Sequence, residues 1–358
     1  MLIVRSPVRI SFGGGGTDLP SFYQQFGGAV LSTSINKYFY TILQKRSDGR
    51  IQVISSDLRV METWQDISRM EIARSELAIP LAAIKELGCD LSVDLFLASE
   101  IMAGTGLGSS ASVCVGVLKT LATYLDLSMS KYELAERAFH IARNTLGKPV
   151  DKQDEYAAAF GGLNFITFNP DDSVQVEPLA LSHERLLEFQ NSLMLFFTGV
   201  AHNSWELLRE QESATKSVGV TAEPLHHIRH LADEMRRVLM KGHLNALGDL
   251  LHDGWEAKKK VSSKISNPLI DEVYALARKH GARGGKIAGA GGGGFLLLFC
   301  EDRCQENVRE AIARLGLREM AFGFDLQGAD VVTNDPFIDG DHRCGMRWTF
   351  SPAVACAV

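Results

Sequence analysis

The first half of the chain alternates between strand-like and helix-like patterns of apolar positions. Polarity alternates over residues 2–12, and β-branched or aromatic residues recur at every second position in 29–43 and 50–55. This period of two is typical of half-buried strands. Residues 91–98 repeat it. Longer apolar stripes predict helices at 80–88, 109–126 and 131–146. A further strand is predicted at 163–168.

The second half begins after a polar, turn-rich segment at 170–185, where we predict a domain boundary. An apolar strand at 191–198 is followed by a run of helices over 203–279. A glycine-rich turn leading into a strand is predicted at 285–300. A helix at 303–316 and a last strand at 327–333 follow it. Because strands and helices interleave in both halves, the class is α/β or α+β.

Composition excludes several classes of protein. With 358 residues, 46% hydrophobic and 22% charged, the chain is neither collagen-like, coiled-coil nor disordered. Its net charge of −6 gives no basic signature for nucleic acid. No apolar run reaches the ~20 residues of a membrane helix, and the N-terminus lacks signal-peptide features. The six cysteines form no C-x-x-C pair, which suits a reducing compartment. We therefore expect a cytoplasmic protein with no nucleic-acid or membrane partner.

Glycines are concentrated in three clusters, at 13–16, 104–108 and 289–294. The second cluster follows a predicted strand and precedes a predicted helix that starts with Ser109 and Ser110. A helix N-terminus offers free N–H donors and a positive partial charge, which together favour phosphate. We therefore predict phosphate binding there. The alternative is a capped turn without a ligand.

The familiar phosphate-binding motifs do not fit these clusters. A Walker A loop needs a lysine after the glycines, and none follows Gly108. Gly323-Phe324-Asp325 is not the D-F-G of protein kinases, and no H-R-D occurs. The third cluster matches G-x-G-x-x-G but leads into a strand, which disfavours a dinucleotide site. It is interpreted as backbone that wraps a ligand, or else as a bulge or tight hairpin. The first cluster, ending in Thr17-Asp18, suits a small polar substrate, or else a capped hairpin.

In this order and spacing the three clusters resemble the GHMP small-molecule kinases. The first, from Ser6 through Asp18, resembles the family's N-terminal substrate motif, and Lys286–Gly294 resembles its C-terminal motif. Stretches 153–164 and 252–268 most resemble the D-glycero-D-manno-heptose 7-phosphate kinases. The resemblance runs from about residue 3 to residue 335. The residues that resemble the ATP-binding signature are Gly104, Thr105, Gly106, Leu107, Gly108, Ser109, Ser110 and Ala111.

The resemblance implies an α+β, two-domain GHMP kinase fold. The N-terminal ATP-binding domain (1–185) would be like ribosomal protein S5 domain 2, the C-terminal domain (186–340) ferredoxin-like, and 341–358 a tail. It also implies an enzyme that uses ATP and Mg²⁺ to phosphorylate the anomeric hydroxyl of the heptose 7-phosphate, for nucleotide-activated heptose and surface polysaccharide. Another sugar kinase, fucokinase- or galactokinase-like, and a weakly catalytic nucleotide- or sugar-binding regulator are the alternatives. A homodimer is left open.

The resemblance also assigns roles to individual residues. Asp154 matches the catalytic aspartate that accepts or orients the hydroxyl proton, and Arg9 lies where relatives carry a basic residue near the transferred phosphate. Ser110, or else Ser109, would ligate Mg²⁺. Lys259 and Lys286 are further candidates for the substrate phosphate. The expected substrate-binding residues are Gly14, Gly15, Gly16, Thr17, Asp18, Gly291, Gly292, Lys258 and Arg283.

Two positions depart from the family pattern. Relatives usually carry a Mg²⁺-binding glutamate where this chain has Ala142, and a glycine where it has Asp151. We predict that Asp151 partly compensates as a metal ligand, while water and ATP oxygens complete the octahedral shell. His226 and His230 are four residues apart, but with no third ligand they are interpreted as a solvated helix face.

Overall fold

The computed structural model describes residues 1–88, 91–199, 204–216 and 222–335. The predicted tail, 341–358, lies outside these residues, and so do Cys89, Cys344 and Cys356. Cys114, Cys300 and Cys304 are free thiols. Among the described helices, none combines the length and the apolarity that crossing a bilayer requires.

The described strands form two separate sheets. Their bounds are β1 (Leu2–Gly13), β2 (Gly28–Lys45), β3 (Ile51–Ser55), β4 (Val60–Trp64), β5 (Val93–Ser99), β6 (Leu163–Phe168), β7 (Val174–Pro178), β8 (Leu193–Phe197), β9 (Ala282–Ile287), β10 (Phe295–Cys300), β11 (Arg318–Glu319) and β12 (Asp330–Asn334).

Helices cover and connect the sheets. Their bounds are α1 (Pro20–Phe26), α2 (Ala78–Leu87), α3 (Ser109–Tyr124), α4 (Lys131–His140), α5 (Gln153–Phe160), α6 (His183–Asn191), α7 (Ser204–Lys216), α8 (Ala222–Met240), α9 (Leu244–Lys259), α10 (Pro268–Lys279) and α11 (Asp302–Ala313). Short 3₁₀ turns lie at Ile67–Arg69 and Ile72–Arg74, and a π-helical turn at Ile141–Thr145.

The first sheet is built around the 18-residue strand β2. Its main path runs β12-β1-β2-β5-β3-β4, and β6 pairs with the first half of β2 and with β7. Only the β3–β5 pair is parallel among the described pairs of this sheet. Helix α3 packs on β1 and β2 and also contacts α5. The start of α3 is thereby held close to β1 and α5, which carry the candidate catalytic residues.

The second sheet is antiparallel and has the order β11-β8-β10-β9. Its inner strand β10 is buried at every position, because α10 and α11 pack on one side and part of α9, with Ile10 and Phe12 of the first sheet, packs on the other. Two sheets with helices packed around them confirm the predicted α+β class.

The two predicted domains are less cleanly separated along the chain than the sequence predicts. Strand β12 comes from the range assigned to the C-terminal domain, yet it pairs with β1 in the first sheet. Segment 170–185, expected to be a linker, contains β7, which pairs with β6. The predicted helix 131–146 is regular only to His140 and continues as the π-helical turn. The division at residue 185 therefore stays a prediction.

Local signals explain where the central helices begin and end. Helix α4 starts with a capping box between Ser130 and Glu133, which satisfies two of its free N–H groups. Helix α10 starts with Asn267 as its cap and Pro268 in its first turn. Helix α2 ends at Gly88, which adopts the left-handed conformation (φ +63°).

Candidate active site

The start of α3 is an uncapped helix N-terminus that faces the candidate catalytic aspartate. Gly108 precedes the helix in the left-handed conformation (φ +77°), and no side chain caps the first turn. A Cβ atom on Gly108 would lie 3.0 Å from Asp154 Oδ2, so a larger residue would push the two apart. The free N–H groups of this turn are therefore available to a phosphate beside Asp154.

The second and third glycine clusters pack against each other through their backbones. A Cβ atom on Gly106 would lie 2.3 Å from the Ala288 carbonyl oxygen, so only glycine fits. The Phe295 N–H donates to the Thr105 carbonyl oxygen over 3.2 Å. Loops from both sheets thus form one continuous wall of the site.

Arg9 and Asp154 form a buried, two-pronged ion pair. Arg9 Nε donates to Asp154 Oδ1 over 2.6 Å, and Nη2 donates to Oδ2 over 2.7 Å. The Arg9 side chain also donates from Nη1 to the Gly106 carbonyl oxygen over 2.5 Å. Burial raises the pKa of Asp154 to about 6, with a further contribution from Asp151, while Arg9 opposes the shift. The pair holds a basic carboxylate in a fixed orientation next to the phosphate loop.

Asp18 organises the first glycine cluster. Its Oδ1 accepts from the Gly16 N–H over 2.8 Å, and its Oδ2 accepts from the Gln153 N–H and Nε2 over 3.1 and 2.9 Å. Burial, with Asp151 nearby, raises the pKa of Asp18 to about 7. The Thr17 hydroxyl donates to the Gly14 carbonyl oxygen over 2.7 Å. Asp18 and Thr17 therefore shape this loop through their own hydrogen bonds.

Buried polar side chains of Ser11, Gln153 and Lys258 surround Gly15, and this group is called the polar chamber. A Cβ atom on Gly15 would lie 3.6 Å from Ser11 Oγ, 3.6 Å from Gln153 Nε2 and 3.7 Å from Lys258 Nζ. Among the described residues, Ser11 Oγ and Gln153 Oε1 are buried without a hydrogen-bond partner. Buried polar atoms nearly always have one, so the chamber is suited to a ligand with several hydroxyl groups.

Two buried lysines stand at this chamber. Lys258 Nζ donates to the Gly289 carbonyl oxygen, and Lys286 Nζ donates to the Ser11 carbonyl oxygen, each over 2.9 Å. Burial lowers the pKa of Lys258, and it lowers that of Lys286 well below the ordinary value with a contribution from Lys258. An anionic ligand would stabilise both charges.

Two further carboxylates, Asp151 and Glu155, line a cavity that Arg9 and Asp154 also line. Asp151 Oδ2 accepts from Gln153 Nε2 over 3.4 Å. Glu155 is 2% exposed, and its Oε2 has no hydrogen-bond partner among the described residues. Burial raises the pKa of Glu155 well above its ordinary value, and Asp154 adds to the effect.

The donor set suits Mg²⁺ only together with a nucleotide. Within the described residues no three His, Cys, Asp or Glu side chains are grouped so as to hold a metal ion by themselves. Ser109, Ser110, Asp151 and Glu155 nevertheless line one cavity with hard oxygen donors. Mg²⁺ commonly takes one or two carboxylates and completes its shell with water and phosphate oxygens. The residues present fit that pattern.

The cavity has a volume of about 510 Å³, within the usual range for ligand pockets. Its polar end is formed by the start of α3 and the acidic residues of 151–155. Its apolar end is lined by side chains that include Leu77, Pro80 and Leu97, whereas Trp205 of α7 also lines a small adjoining cavity with Ser110 and Glu155. Such a division suits a ligand with a flat apolar group at one end and charge at the other.

The structure brings most of the predicted site residues together, but not all. Arg283 Nε and Nη2 donate to Asp249 of α9 over 3.0 and 2.9 Å, and its side chain is partly exposed and does not line the cavity. Gly291 and Gly292 pack against Ile265 and do not line the cavity. From that cluster, Gly289 and Ala290 line it instead.

Of the remaining predicted residues, some lie at the site and others lie elsewhere. Lys259 pairs with Glu256 over 2.8 Å on the partly exposed side of α9, whereas Lys258 faces the chamber. His226 contacts Phe22 and Phe26 through its ring, so part of that predicted solvated face is packed. Arg9, Asp18, Asp151, Asp154 and Ser110 all meet at or beside the cavity.

Sequence reasoning missed Ser11, Gln153 and Glu155 as site residues. Ser11 and Gln153 lie inside the quoted motifs but carry no charge, so nothing distinguished them from neighbouring polar residues. Glu155 follows Asp154 at the start of a helix, where an acidic residue is expected for the helix dipole alone. The signal that could have found it is its place directly before the apolar run from Tyr156 to Phe160.

Comparison with known proteins agrees with this geometry. Residues 76–162 match the description "GHMP kinases N terminal domain", and residues 235–316 match "GHMP kinases C terminal". The D-glycero-alpha-D-manno-heptose 7-phosphate kinase of Campylobacter jejuni is 30% identical over 331 residues, covering 90% of this chain and 96% of that protein. The L-fucokinase/L-fucose-1-P guanylyltransferase of Bacteroides fragilis is 24% identical and matches 83% of this chain but 34% of its own length.

A solved structure is similar over nearly the whole chain. The crystal structure of a D-glycero-D-manno-heptose 1-phosphate kinase from Bacteroides thetaiotaomicron superposes with a TM-score of 0.79 at 28% identity, covering 94% of this chain and all of that one. The predicted family is thereby confirmed. The chain belongs to the GHMP kinase family, and it is a sugar kinase that takes its phosphate from ATP.

Proposed function

We propose that the protein transfers the γ-phosphate of Mg²⁺-ATP to the anomeric hydroxyl of D-glycero-D-manno-heptose 7-phosphate, giving the 1,7-bisphosphate. The observation that carries the proposal is the chamber around Gly15, where unpartnered Ser11 Oγ and Gln153 Oε1 lie with Lys258 beside the Arg9–Asp154 pair. Hydroxyl-binding atoms, a buried cation and a basic carboxylate are what a phosphorylated sugar requires. The name of the Campylobacter jejuni relative supports the choice of sugar.

The lining of the cavity favours one orientation for the nucleotide. Its base would lie at the apolar end near Leu77 and Pro80, and its phosphates would meet the free N–H groups at the start of α3. Bound Mg²⁺ would neutralise the phosphate oxygens. Ser110, which lies on the first turn of α3 and lines the cavity, would hold the metal.

The acceptor hydroxyl would lie between Asp154 and the phosphates. Asp154 accepts its proton as the oxygen attacks, and Arg9 orients that carboxylate while stabilising negative charge on the phosphoryl group. Asp18, Ser11 and Gln153 hold the other sugar hydroxyls, and Lys258 with Lys286 offers charge to the substrate phosphate. The protein's place in nucleotide-activated heptose and surface polysaccharide synthesis, in the cytoplasm, follows from this substrate.

The names of the relatives differ in the position of the phosphate, and an assay can decide between them. We would measure ADP release with heptose 7-phosphate, heptose 1-phosphate, the free heptose and L-fucose, and locate the new phosphate by ³¹P NMR. We expect the highest kcat/KM for the 7-phosphate and a new signal at the anomeric position. Faster turnover of heptose 1-phosphate, with phosphate added elsewhere, would reverse the assignment. Preference for free heptose or fucose would contradict a phosphorylated acceptor.

A further inference from the structure

Glu155 is a buried carboxylate that the proposed transfer step does not use. It is 2% exposed, and its Oε2 has no partner among the described residues. The neighbouring buried carboxylates differ in this respect, because Asp154 is held by Arg9 and Asp18 by Gly16 and Gln153. A buried carboxylate oxygen without a partner is costly, and a ligand at Oε2 would explain why this one is kept.

The position of Glu155 indicates which ligand. It lines the large cavity, and it also lines a small adjoining cavity of about 20 Å³. Ser110 lines both cavities as well. Helix α5 packs against α3, so Glu155 faces the turn of α3 that would carry the phosphates.

Ala142 provides the space that Glu155 faces. It lines the same small cavity, at the position where the family resemblance implies a metal-binding glutamate. Its methyl group leaves room for a longer side chain from the opposite helix. Asp151, the residue expected to compensate, instead accepts a hydrogen bond from Gln153 and lies among Arg9, Asp18 and Lys258. It lines the large cavity too, but unlike Glu155 Oε2 it already has a hydrogen-bond partner and lies near buried cations.

We propose that Glu155, together with Ser110, supplies this chain's protein ligands to the Mg²⁺ of bound ATP, in place of a glutamate at position 142. The inference rests on the proposed Mg²⁺-ATP site. A hydroxyl and a carboxylate oxygen are hard donors of the kind Mg²⁺ takes, and nucleotide phosphates and water complete its octahedron. The protein thus keeps a carboxylate at the metal but provides it from α5 rather than from the turn after α4.

The test measures metal binding without catalysis. Mn²⁺ replaces Mg²⁺, a non-hydrolysable ATP analogue replaces ATP, and free Mn²⁺ is counted by electron paramagnetic resonance. We expect Glu155→Gln to weaken Mn²⁺ binding at least about tenfold, and the double variant Glu155→Gln with Ala142→Glu to recover most of it. Glu310→Gln, on the exposed side of α11, is the matched control and should bind as the wild type does.

A second measurement separates a ligand from a structural role. The thermal midpoint of metal-free Glu155→Gln should equal or exceed that of the wild type, because burial already disfavours the ionised carboxyl group and the amide keeps its size without ionising, while the increase caused by Mn²⁺ and nucleotide is lost. Unchanged Mn²⁺ affinity in Glu155→Gln, or a loss confined to Asp151→Asn, overturns the inference alone. A wild-type protein that binds the nucleotide analogue but no Mn²⁺ overturns both it and the proposed metal site.

Discussion

At the scale of single residues, the site is a compact cluster of opposite charges. Three cations, Arg9, Lys258 and Lys286, share a buried space with Asp18, Asp151 and Asp154. Each charge is tolerable only because the others are close. Asp154 is the carboxylate that also touches the phosphate loop, through Gly108, so its chemistry and its position cannot be separated from Arg9.

We expect Asp154→Asn to lower kcat by about 10²–10⁴-fold, the usual contribution of a general base. The amide keeps the size of the side chain but cannot accept the hydroxyl proton. Binding of ATP, measured by calorimetry, should change little, because the carboxylate serves the acceptor rather than the nucleotide.

The matched control is Asp48→Asn. Asp48 also holds an arginine, Arg46, through two hydrogen bonds of 2.6 and 2.8 Å, but it lies on the surface. It should leave kcat unchanged. Near-wild-type kcat in Asp154→Asn, or an equal loss in both variants, would exclude the general-base role.

Sequence motifs predicted the charged members of this site better than the neutral ones. Arg9, Asp18 and Asp154 lie within specific glycine-rich or acidic stretches, and the structure brings them together. The sequence also predicts Arg283 as a phosphate-binding cation, but in the structure it donates to Asp249. Which face of a strand or helix a lysine or arginine occupies depends on packing between elements, and a single sequence does not record that.

At the scale of elements, the long periodic segments were predicted to within a few residues, whereas several of the short strands were missed. Strands β1, β2 and β5 and helix α3 lie within a few residues of their predicted bounds. The five-residue strands β4 and β7 and the two-residue strand β11 were missed. A short strand exists because a partner lies beside it, as β7 lies beside β6, and local pattern carries little of that information.

The contact between the second and third glycine clusters leads to a prediction for Gly106. We expect Gly106→Ala to lower both the thermal midpoint and the affinity for ATP, because its Cβ would lie 2.3 Å from the Ala288 carbonyl oxygen. Left-handed backbone (φ +80°) adds about 1–2 kcal/mol for any residue with a Cβ.

Gly49→Ala measures how much the left-handed backbone alone lowers the thermal midpoint. Gly49 has a similar φ of +74°, and nothing lies within 4 Å of its Cβ position. Calorimetry and nucleotide titration of both variants give the comparison. If Gly49→Ala is as destabilising as Gly106→Ala, close packing of the two loops does not explain the effect.

At the scale of the whole molecule, the two sheets share buried structure. One buried hydrophobic cluster includes Phe12 from the first sheet with Leu195 and Leu297 from the second. The Lys286–Ser11 hydrogen bond also joins the two sheets, as does the packing of Gly106 on Ala288. The active site lies on this shared surface, so its geometry depends on both sheets being folded.

We therefore expect a single cooperative unfolding transition in differential scanning calorimetry. Leu95→Ala in the first sheet and Leu298→Ala in the second, both 0% exposed, should each destabilise the protein by about 2–5 kcal/mol. Each should shift the same transition. Two resolved transitions, with each variant affecting a different one, would show that the sheets unfold independently.

The pairing of β12 with β1 has a topological consequence. The Met1 amino group donates to the Asp335 carbonyl oxygen over 3.3 Å, and the Asp335 N–H donates back over 3.0 Å. Residues 1 and 335 are thus neighbours in space, the condition under which circular permutation is tolerated. A chain that lacks residues 336–358, joins residue 335 to residue 1 by a short link and opens at the exposed turn around Gly49 would retain every strand pairing described above. The fold is set by which strands meet, and the same sheets are compatible with a different starting point along the chain.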